Sequence, residues 1–400
     1  MSLTDYKAAF DNSYQEFFNK RLVAKEIMNT RFEPMLIYGG SVTRVSMDLS
    51  AVQVRTVTRG SASTIDSITD TSESLTVNLE KEAAFHISDG EVKQTGPLKA
   101  MQTAGKEIAK KLATDLDGRC FAEVLNALYS FDSGDLTTGA SSGTPITLSS
   151  TTVPQMTTRM SAKLSNKNNI DIEGDMVLVV DGYAASDIDQ FLISKSIDLA
   201  GAVFKNGYSG LIRGAELFVS ENLTSTSVLS IATQPTDGDT VTIAGVTFTF
   251  KTTLGVTPGN VAIAGSADAA RLNLSELINS PGTTDAGQVA LSAANQLIMA
   301  KYVATDDAVA NTLTIVGTGT GRTLVSETLT DGTDGFTKNY INCYYGKKGA
   351  IDLVIQDMKE VDMRPTADRR GTNVFSSYLA GLKTFSDGAK KFLNVKILVA

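Results

Sequence analysis

The chain opens on an aromatic pattern. Tyr6, Phe10, Tyr14, Phe17 and Phe18 recur at steps of four, four, three and one, and Val23, Ile27 and Phe32 follow. That spacing predicts an amphipathic helical arm over residues 1–32, ended by Pro34 and the Gly39-Gly40 pair. An apolar stripe on an arm with no body of its own needs a surface to lie on, either its own domain or a neighbouring copy. Strand alternation then takes over. Within 42–59, Val52, Val54 and Thr56 face one way, with Gln53 and Arg55 opposite. Within 75–87, Leu75, Val77 and Leu79 face one way, with Asn78 and Glu80 opposite. Between them lies GSASTIDSITDTSES, small and polar, so the two strands read as a long hairpin projecting from the body. Isolated hairpins are marginal in water, and this one should gain its order from contacts elsewhere.

Residues 97–129 carry the clearest helical stripe: Leu98, Met101, Ile108, Leu112, Leu116, Phe121, Val124 and Leu128. Pro97 suits the first turn. Unbroken, this helix would run ~50 Å at 1.5 Å per residue, with Gly105 and Gly118 as places to bend. After the loose stretch SFDSGDLTTGASSGTP the pattern becomes mixed. Met176–Val180 is a continuous apolar run, as in a buried strand, and DGYAASDIDQFLIS follows as a helix capped by Asp181 or Ser186. Ala215–Val219 reads as another strand.

From 226 to 340 the character changes to Thr, Gly and Ala. DGDTVTIAGVTFTFK predicts a hairpin turning at Ala244-Gly245, residues 266–279 and 286–302 predict two short helices, and NTLTIVGTGTGRTLVSETL predicts a second hairpin. This β-β-α-α-β-β order can close its own small core. It reads as an insertion, because strands resume with IDLVIQ and later FLNVKILV. Four hundred residues suggest roughly two to three domains. With 42% hydrophobic and 20% charged residues, most of the chain can pack. The net charge of −8 is uneven: the insertion holds ten acids and five bases, net −5, and the rest of the chain −3.

Small counts exclude much chemistry. There is one histidine, His86, and there are two cysteines, Cys120 and Cys343. They form no zinc-ligand spacing, redox pair or disulfide framework; a single bridge is open to them, but they read rather as two reduced thiols of an intracellular protein. The start, MSLTDYKAAFDNSYQEFF, is acidic and polar where a signal peptide needs a basic start and an apolar run, and no stretch approaches the ~18 apolar residues of a membrane span. GTGTGR at 317–322 lacks the spacing of a nucleotide-binding loop and reads as a tight hairpin turn. DGTDG at 331–335 lacks the EF-hand spacing and reads as a plain turn. His86 ends a strand alternation without a serine partner in motif range. No enzyme activity, cofactor or metal is expected. The bases Arg55, Arg59, Lys110, Lys111, Lys347, Lys348, Arg364, Arg369, Arg370, Lys390 and Lys391 are scattered, without the aromatic interleaving of a nucleic-acid groove, and suit ion pairs between subunits.

Taken in order, the elements are an aromatic arm, a projecting hairpin, a long helix and a mixed α/β body. That body carries VLVVDGYAASDI and GAELFVSENL, and the chain closes with KGAIDLVIQDMKEVDMRPTADRRGTNVFSSYLAGLKTFSDGAKKFLNVKI. This order resembles the major capsid proteins of tailed bacteriophages, the Hong Kong 97-like family, over most of the chain outside 226–340. The resemblance implies an α+β fold with an N-terminal arm (1–41), an extended E-loop hairpin (42–88) and a P-domain with its spine helix (89–159). It further implies an A-domain beginning at 160–225, an insertion domain (226–340), and the remainder of the A-domain with the closing P-domain strands (341–400).

It also implies a shell of hexamers and pentamers around double-stranded DNA held non-specifically, assembled in the host cytoplasm. Partners would be a separate scaffolding protein, a portal and a decoration protein; no membrane is implied. The subunit contacts it suggests involve Phe10, Phe17, Phe18, Arg55, Arg59, Lys110, Lys111, Arg369 and Arg370, with the E-loop lying over a neighbour's spine helix and the acidic insertion facing outward. Some relatives lock their shells with a Lys–Asn isopeptide bond. Lys81 and Asn394 fall in the corresponding regions, but nothing in the sequence identifies a bonding pair. The rival readings are an encapsulin-type shell around a cargo enzyme, and a tail-tube or adhesin-like protein suggested by the Thr/Gly-rich hairpins.

Overall fold

The computed structural model describes residues 22–36, 40–48, 52–57, 59–60, 62, 65–88, 90, 97–137, 142–168, 175–195, 211–212, 214–365 and 370–399. The arm expected up to residue 21 lies outside them. The helices are α1 Val23–Ile27, α2 Pro97–Ala122, α3 Thr152–Asn168, α4 Gly182–Lys195, α5 Ala267–Asn279 and α6 Ala293–Met299. The first strands are β1 Ser41–Asp48, β2 Thr69–Thr76, β3 Leu79–Ser88, β4 Tyr129–Phe131, β5 Met176–Val180, β6 Leu211–Ile212, β7 Ala215–Val219, β8 Thr224–Ser230 and β9 Thr240–Ile243. They continue as β10 Val246–Lys251, β11 Asn260–Ala262, β12 Tyr302–Asp307, β13 Thr312–Gly317, β14 Val325–Glu327, β15 Gly335–Lys347, β16 Asp352–Pro365, β17 Gly371–Lys383 and β18 Phe392–Leu398. The result is a mixed α+β architecture that divides into two units.

The first unit holds residues 25–112 and 349–389. The antiparallel hairpin β16–β17 takes β3 along its second strand, from Ala380↔Leu79 to Gly371↔Ser88. A separate ribbon pairs β1 with β2, from Ser41↔Thr76 to Asp48↔Thr69. The single strand expected over 75–87 is therefore two strands with different partners. Much of the polar stretch expected as a loop is β2 itself. A ribbon open to water accepts Thr and Ser at most positions, so its polarity hid the strand. The strand expected over 42–59 ends at Asp48, and residues 52–57 leave the ladder. A small core of Phe32, Leu36, Leu75, Val354 and Phe385 closes this unit.

The second unit holds residues 22–24, 113–348 and 390–400. Its nine-stranded sheet runs β12-β13-β8-β15-β5-β7-β6, with β18 joined to β15 and β4 to β18. β15 organises it. Residues 335–342 pair with β8, 344–347 with β5, and 340–346 with β18 along the other edge. The expected buried strand at Met176–Val180 is present and buried at every position. Asp181, not Ser186, caps α4, accepting from the Ala184 N–H at 3.2 Å.

A four-stranded sheet, β11-β10-β9-β14, lies within 240–327. Its strands, with α5, α6 and the outer strands of the larger sheet, enclose one apolar cluster that includes Leu229, Phe248, Phe250, Leu274, Met299 and Leu313. The first expected hairpin, β9–β10, is observed. The second is not: β13 belongs to the nine-stranded sheet and β14 to the four-stranded one, so GTGTGR crosses between sheets. Periodicity describes a strand but not its partner, which only the packed core selects. The helix expected over 286–302 shrinks to Ala293–Met299, and β12 begins at Tyr302.

The long helix also ends sooner than its stripe suggests. α2 stops at Ala122, a length of ~39 Å, and a 3-10 turn leads into β4 beside β18. Two contacts fix its C-terminal half. The buried Asp117 carboxylate accepts from the N–H groups of Val23 (3.2 Å) and Ala24 (3.0 Å), at the start of α1. Burial nevertheless outweighs these bonds and raises the Asp117 pKa to about 6. One turn face away, Gly118 meets Gly319. A Cβ on Gly118 would lie 2.6 Å from the Gly319 Cα, and Gly319 itself has φ +62°.

Asp117 ionises near pH 6 in the fold and near 3.8 in the unfolded chain, so the folded state binds its proton more tightly. Its contribution is complete below about pH 4 and is lost as pH rises through about 6, a change of roughly 3 kcal/mol. Urea midpoints measured from pH 4 to pH 7 should show that decline in the wild type, and a flatter profile in Asp117→Asn. Gly118→Val should destabilise by about 1–3 kcal/mol, because the added atoms meet backbone that cannot retreat; a lowered urea midpoint at constant slope is the expected readout.

Candidate assembly surface

The residues that could carry chemistry are engaged structurally. The DGTDG carboxylates hold turns: Asp331 accepts from the Thr333 N–H at 2.9 Å, and Asp334 from the N–H groups of Ala232 (2.7 Å) and Thr233 (3.0 Å). His86 Nδ1 shares a hydrogen bond with Asn373 Oδ1 across β3 and β17, at 2.8 Å. Cys120 and Cys343 are free and buried, and burial pushes both thiols well above their ordinary pKa. Asn394 is also buried, and its amide nitrogen donates to Asn342 Oδ1 at 2.9 Å, so this side chain serves the sheet. Among the described residues no group of three His, Cys, Asp or Glu gathers as metal ligands, and no helix is long and apolar enough to cross a membrane.

What stands out instead is uncovered apolar surface on the β1–β2 hairpin. Val45, Val52, Val54, Val57, Ile65 and Ile68 are all exposed, Val54 as fully as in an extended peptide. The loop that carries most of them is braced internally. Arg55 grips Asp66 with two hydrogen bonds of 2.5 and 2.8 Å, and Asp66 also accepts from the Gln53 N–H at 3.0 Å. The Arg55 guanidinium, then that backbone bond, hold the Asp66 carboxyl below its ordinary pKa. The chain thus spends polar contacts on shaping a loop whose valines and isoleucines face water. Burying one such side chain is worth about 1.5–3 kcal/mol, so covering the set would contribute on the order of 10 kcal/mol before the costs of association.

The sequence-predicted contact residues fall in several places. Arg55 is engaged by Asp66 of its own loop. Arg59 is exposed in the turn of the same hairpin, and Lys110 and Lys111 are exposed on α2. Arg370 is exposed just before β17. Phe10, Phe17, Phe18 and Arg369 lie outside the described residues. Ile65 and Ile68 were missed by the sequence reading. Each stands alone among Ser, Thr and Asp, where no periodic pattern marks it.

No protein-family model matches the chain. No curated protein matches it. Among solved structures, it is similar to one of Mycobacterium phage Che8, with a TM-score of 0.50 and 14% identity over 92% of this chain and 89% of that one. It is also similar to the asymmetric unit of the bacteriophage PhiM1 mature capsid, with a TM-score of 0.44 and 11% identity over 90% and 82% of the two chains. A third likeness is to the capsid of Ralstonia phage GP4, with a TM-score of 0.44 and 8% identity over 93% and 87%. At such identities the likeness is one of fold. The chain shares its fold with the Che8 phage structure, in keeping with the phage resemblance carried by the order of its sequence elements.

The brace in the hairpin loop is open to test. Asp66→Asn should loosen the loop without disturbing the β1–β2 ladder. Limited proteolysis should then cut within 52–67 several-fold faster, with the rest of the fragment pattern unchanged.

Proposed function

We propose that the chain is the major capsid protein of a tailed phage, with the Hong Kong 97-like organisation. On this reading β1, β2 and their loop are the E-loop, α2 is the spine helix, and residues 226–340 are an insertion on the A-domain. Copies assemble into hexamers and pentamers of an icosahedral head around double-stranded DNA. A separate scaffolding protein and a portal take part, and the protein performs no catalysis. The observation that carries the reading is the apolar, internally braced hairpin loop on a chain that shares its fold with a solved structure of a phage. A loop shaped to hold five apolar side chains in water is suited to a partner, and in a homopolymeric shell that partner is a second copy.

Heterologous contact of this kind, where one patch meets a different patch on the next copy, builds closed rings and shells when the rotation closes. The acidic part of the insertion, before β15, fits an outward-facing position, away from packaged DNA. Lys110 and Lys111 on α2, with Arg59 and Arg370, remain candidates for ion pairs between copies.

The purified chain should form closed shells in negative stain. Val54→Glu with Ile65→Glu places charge on two almost wholly exposed side chains. Unfolding midpoints should therefore stay close to wild type while assembly stops at soluble subunits or single capsomers. Intact shells from this double variant would remove the hairpin from the interface, and rods would point to a tail-tube protein.

A further inference from the structure

The second unit carries a concentration of positive charge that the capsid reading does not use. It is assembled from three distant stretches of sequence. α3 contains no Asp or Glu, and it presents Arg159 and Lys163 one turn apart. Lys163 binds both oxygens of Asp135 at 2.6 Å, donates to the Ser130 carbonyl at 2.7 Å, and stands over the Phe131 ring. Asp132 is buried and already accepts from the N–H groups of Gly134 (2.9 Å) and Gly143 (2.8 Å). The Lys338 ammonium, from β15, lies beside Gly143 in the same loop. Lys396, from β18, stands over the Tyr340 ring. Burial holds Lys396 below the ordinary lysine pKa; Asp132 opposes this, while the charges of Lys338 and Lys163 add to it.

The charge balance here is positive. Four cations, Arg159, Lys163, Lys338 and Lys396, share the neighbourhood with two carboxylates, both occupied. Arg159 is exposed and, among the described residues, donates to the Asp135 carbonyl at 2.6 Å. Among the described residues none of Arg159, Lys338 and Lys396 has a carboxylate within ion-pair distance, in a chain whose net charge is −8. An open cleft of about 380 Å³ lies between Arg159, Lys163, Asn166 and Asp135. Polar side chains from α3 and Asp135 share its walls with Ala162, and its one aromatic residue, Phe131, is fully buried beneath it.

We propose that this patch binds the sugar-phosphate backbone of double-stranded DNA, without regard to sequence, and marks the face of the second unit turned toward nucleic acid. The part about orientation rests on the capsid reading; the binding does not. Two features favour a phosphate backbone over an acidic protein. The cleft has no exposed aromatic or large apolar anchor of the sort that centres protein interfaces. Cations with solvent-facing or half-buried ammonium and guanidinium groups position a backbone without reading bases.

The test is fluorescence anisotropy of a short DNA duplex with the unassembled full-length protein between about 50 and 200 mM salt. Wild type should bind, with affinity falling steeply as salt rises. Arg159→Glu with Lys338→Glu should weaken binding at least ~10-fold at low salt and make the salt slope shallower by about 2, since each phosphate contact contributes about 0.9. Arg159→Glu alone, at an exposed position, should show a smaller loss of the same kind with an unchanged unfolding midpoint. Lys110→Glu with Lys111→Glu, on α2, should leave affinity and slope as in the wild type. Equal binding by the wild type and both patch variants would overturn the proposal. So would a wild type that ignores the duplex but binds a polyglutamate peptide, which would indicate an acidic protein partner. Negative stain of the same preparations separates the two readings. A wild type that binds DNA through the patch but forms no shells keeps the patch and sinks the capsid reading; one that forms shells without binding DNA sinks the patch alone.

Discussion

The second unit depends on one strand and its register. β15 is the only strand of the nine-stranded sheet, among the described residues, that pairs with β8, β5 and β18 together. Residues 340–346 are buried without interruption, so neither face is free to slide into water. Asn342 sits at their centre. Its amide donates to the Thr224 carbonyl at 3.0 Å and to Thr226 Oγ1 at 2.9 Å, and its oxygen accepts from Asn394 at 2.9 Å. A slip of one residue would turn Asn342 to the other face and leave these groups unsatisfied in a dry interior, at about 1–3 kcal/mol each. The buried amide thus selects a single pairing where apolar neighbours alone would tolerate several.

The same strand explains why residues 226–340 can be compositionally distinct and yet structurally continuous with the body. Its first half pairs with β8, which belongs to the apolar cluster around Phe248 and Leu313; its second half pairs with β5 and β18. Further fastenings work beside it. Arg322 reaches back to the buried Asp181 and stacks over Tyr183, and Gly319 lies against Gly118 of α2. The glycine-rich stretch owes its composition to these close approaches. No side chain fits between the Gly319 and Gly118 backbones, so the glycines serve packing and not phosphate binding.

The hairpin obeys the opposite rule. Where β15 hides every group, the β1–β2 loop shapes itself with one ion pair and leaves its valines and isoleucines uncovered. The loop's apolar surface is therefore left to be buried by something outside the subunit, as the proposed assembly would do.

Much of the fold was legible in the sequence where periodicity and burial coincide. The run Met176–Val180, the capped helix after it, the β9–β10 hairpin and the existence of α2 follow from local pattern, because each buries one continuous stripe. The order of elements also carried the resemblance to phage capsid proteins. Pairing was not legible. β2 was hidden in Ser and Thr because a solvated ribbon imposes no apolar alternation, and β13 and β14 looked like a hairpin because sequence proximity says nothing about which sheet a strand joins. The candidate surfaces divide the same way. Val52 and Val54 announce themselves by alternation, whereas Arg159, Lys163, Lys338 and Lys396 become one patch only when α3, β15 and β18 are packed together. The sequence by itself determined which segments could be helix or strand and which chemistry the chain lacks, since those depend on near neighbours. The tertiary structure alone decided which strands pair, which polar groups are satisfied and where charge accumulates, since those depend on contacts between residues far apart along the chain.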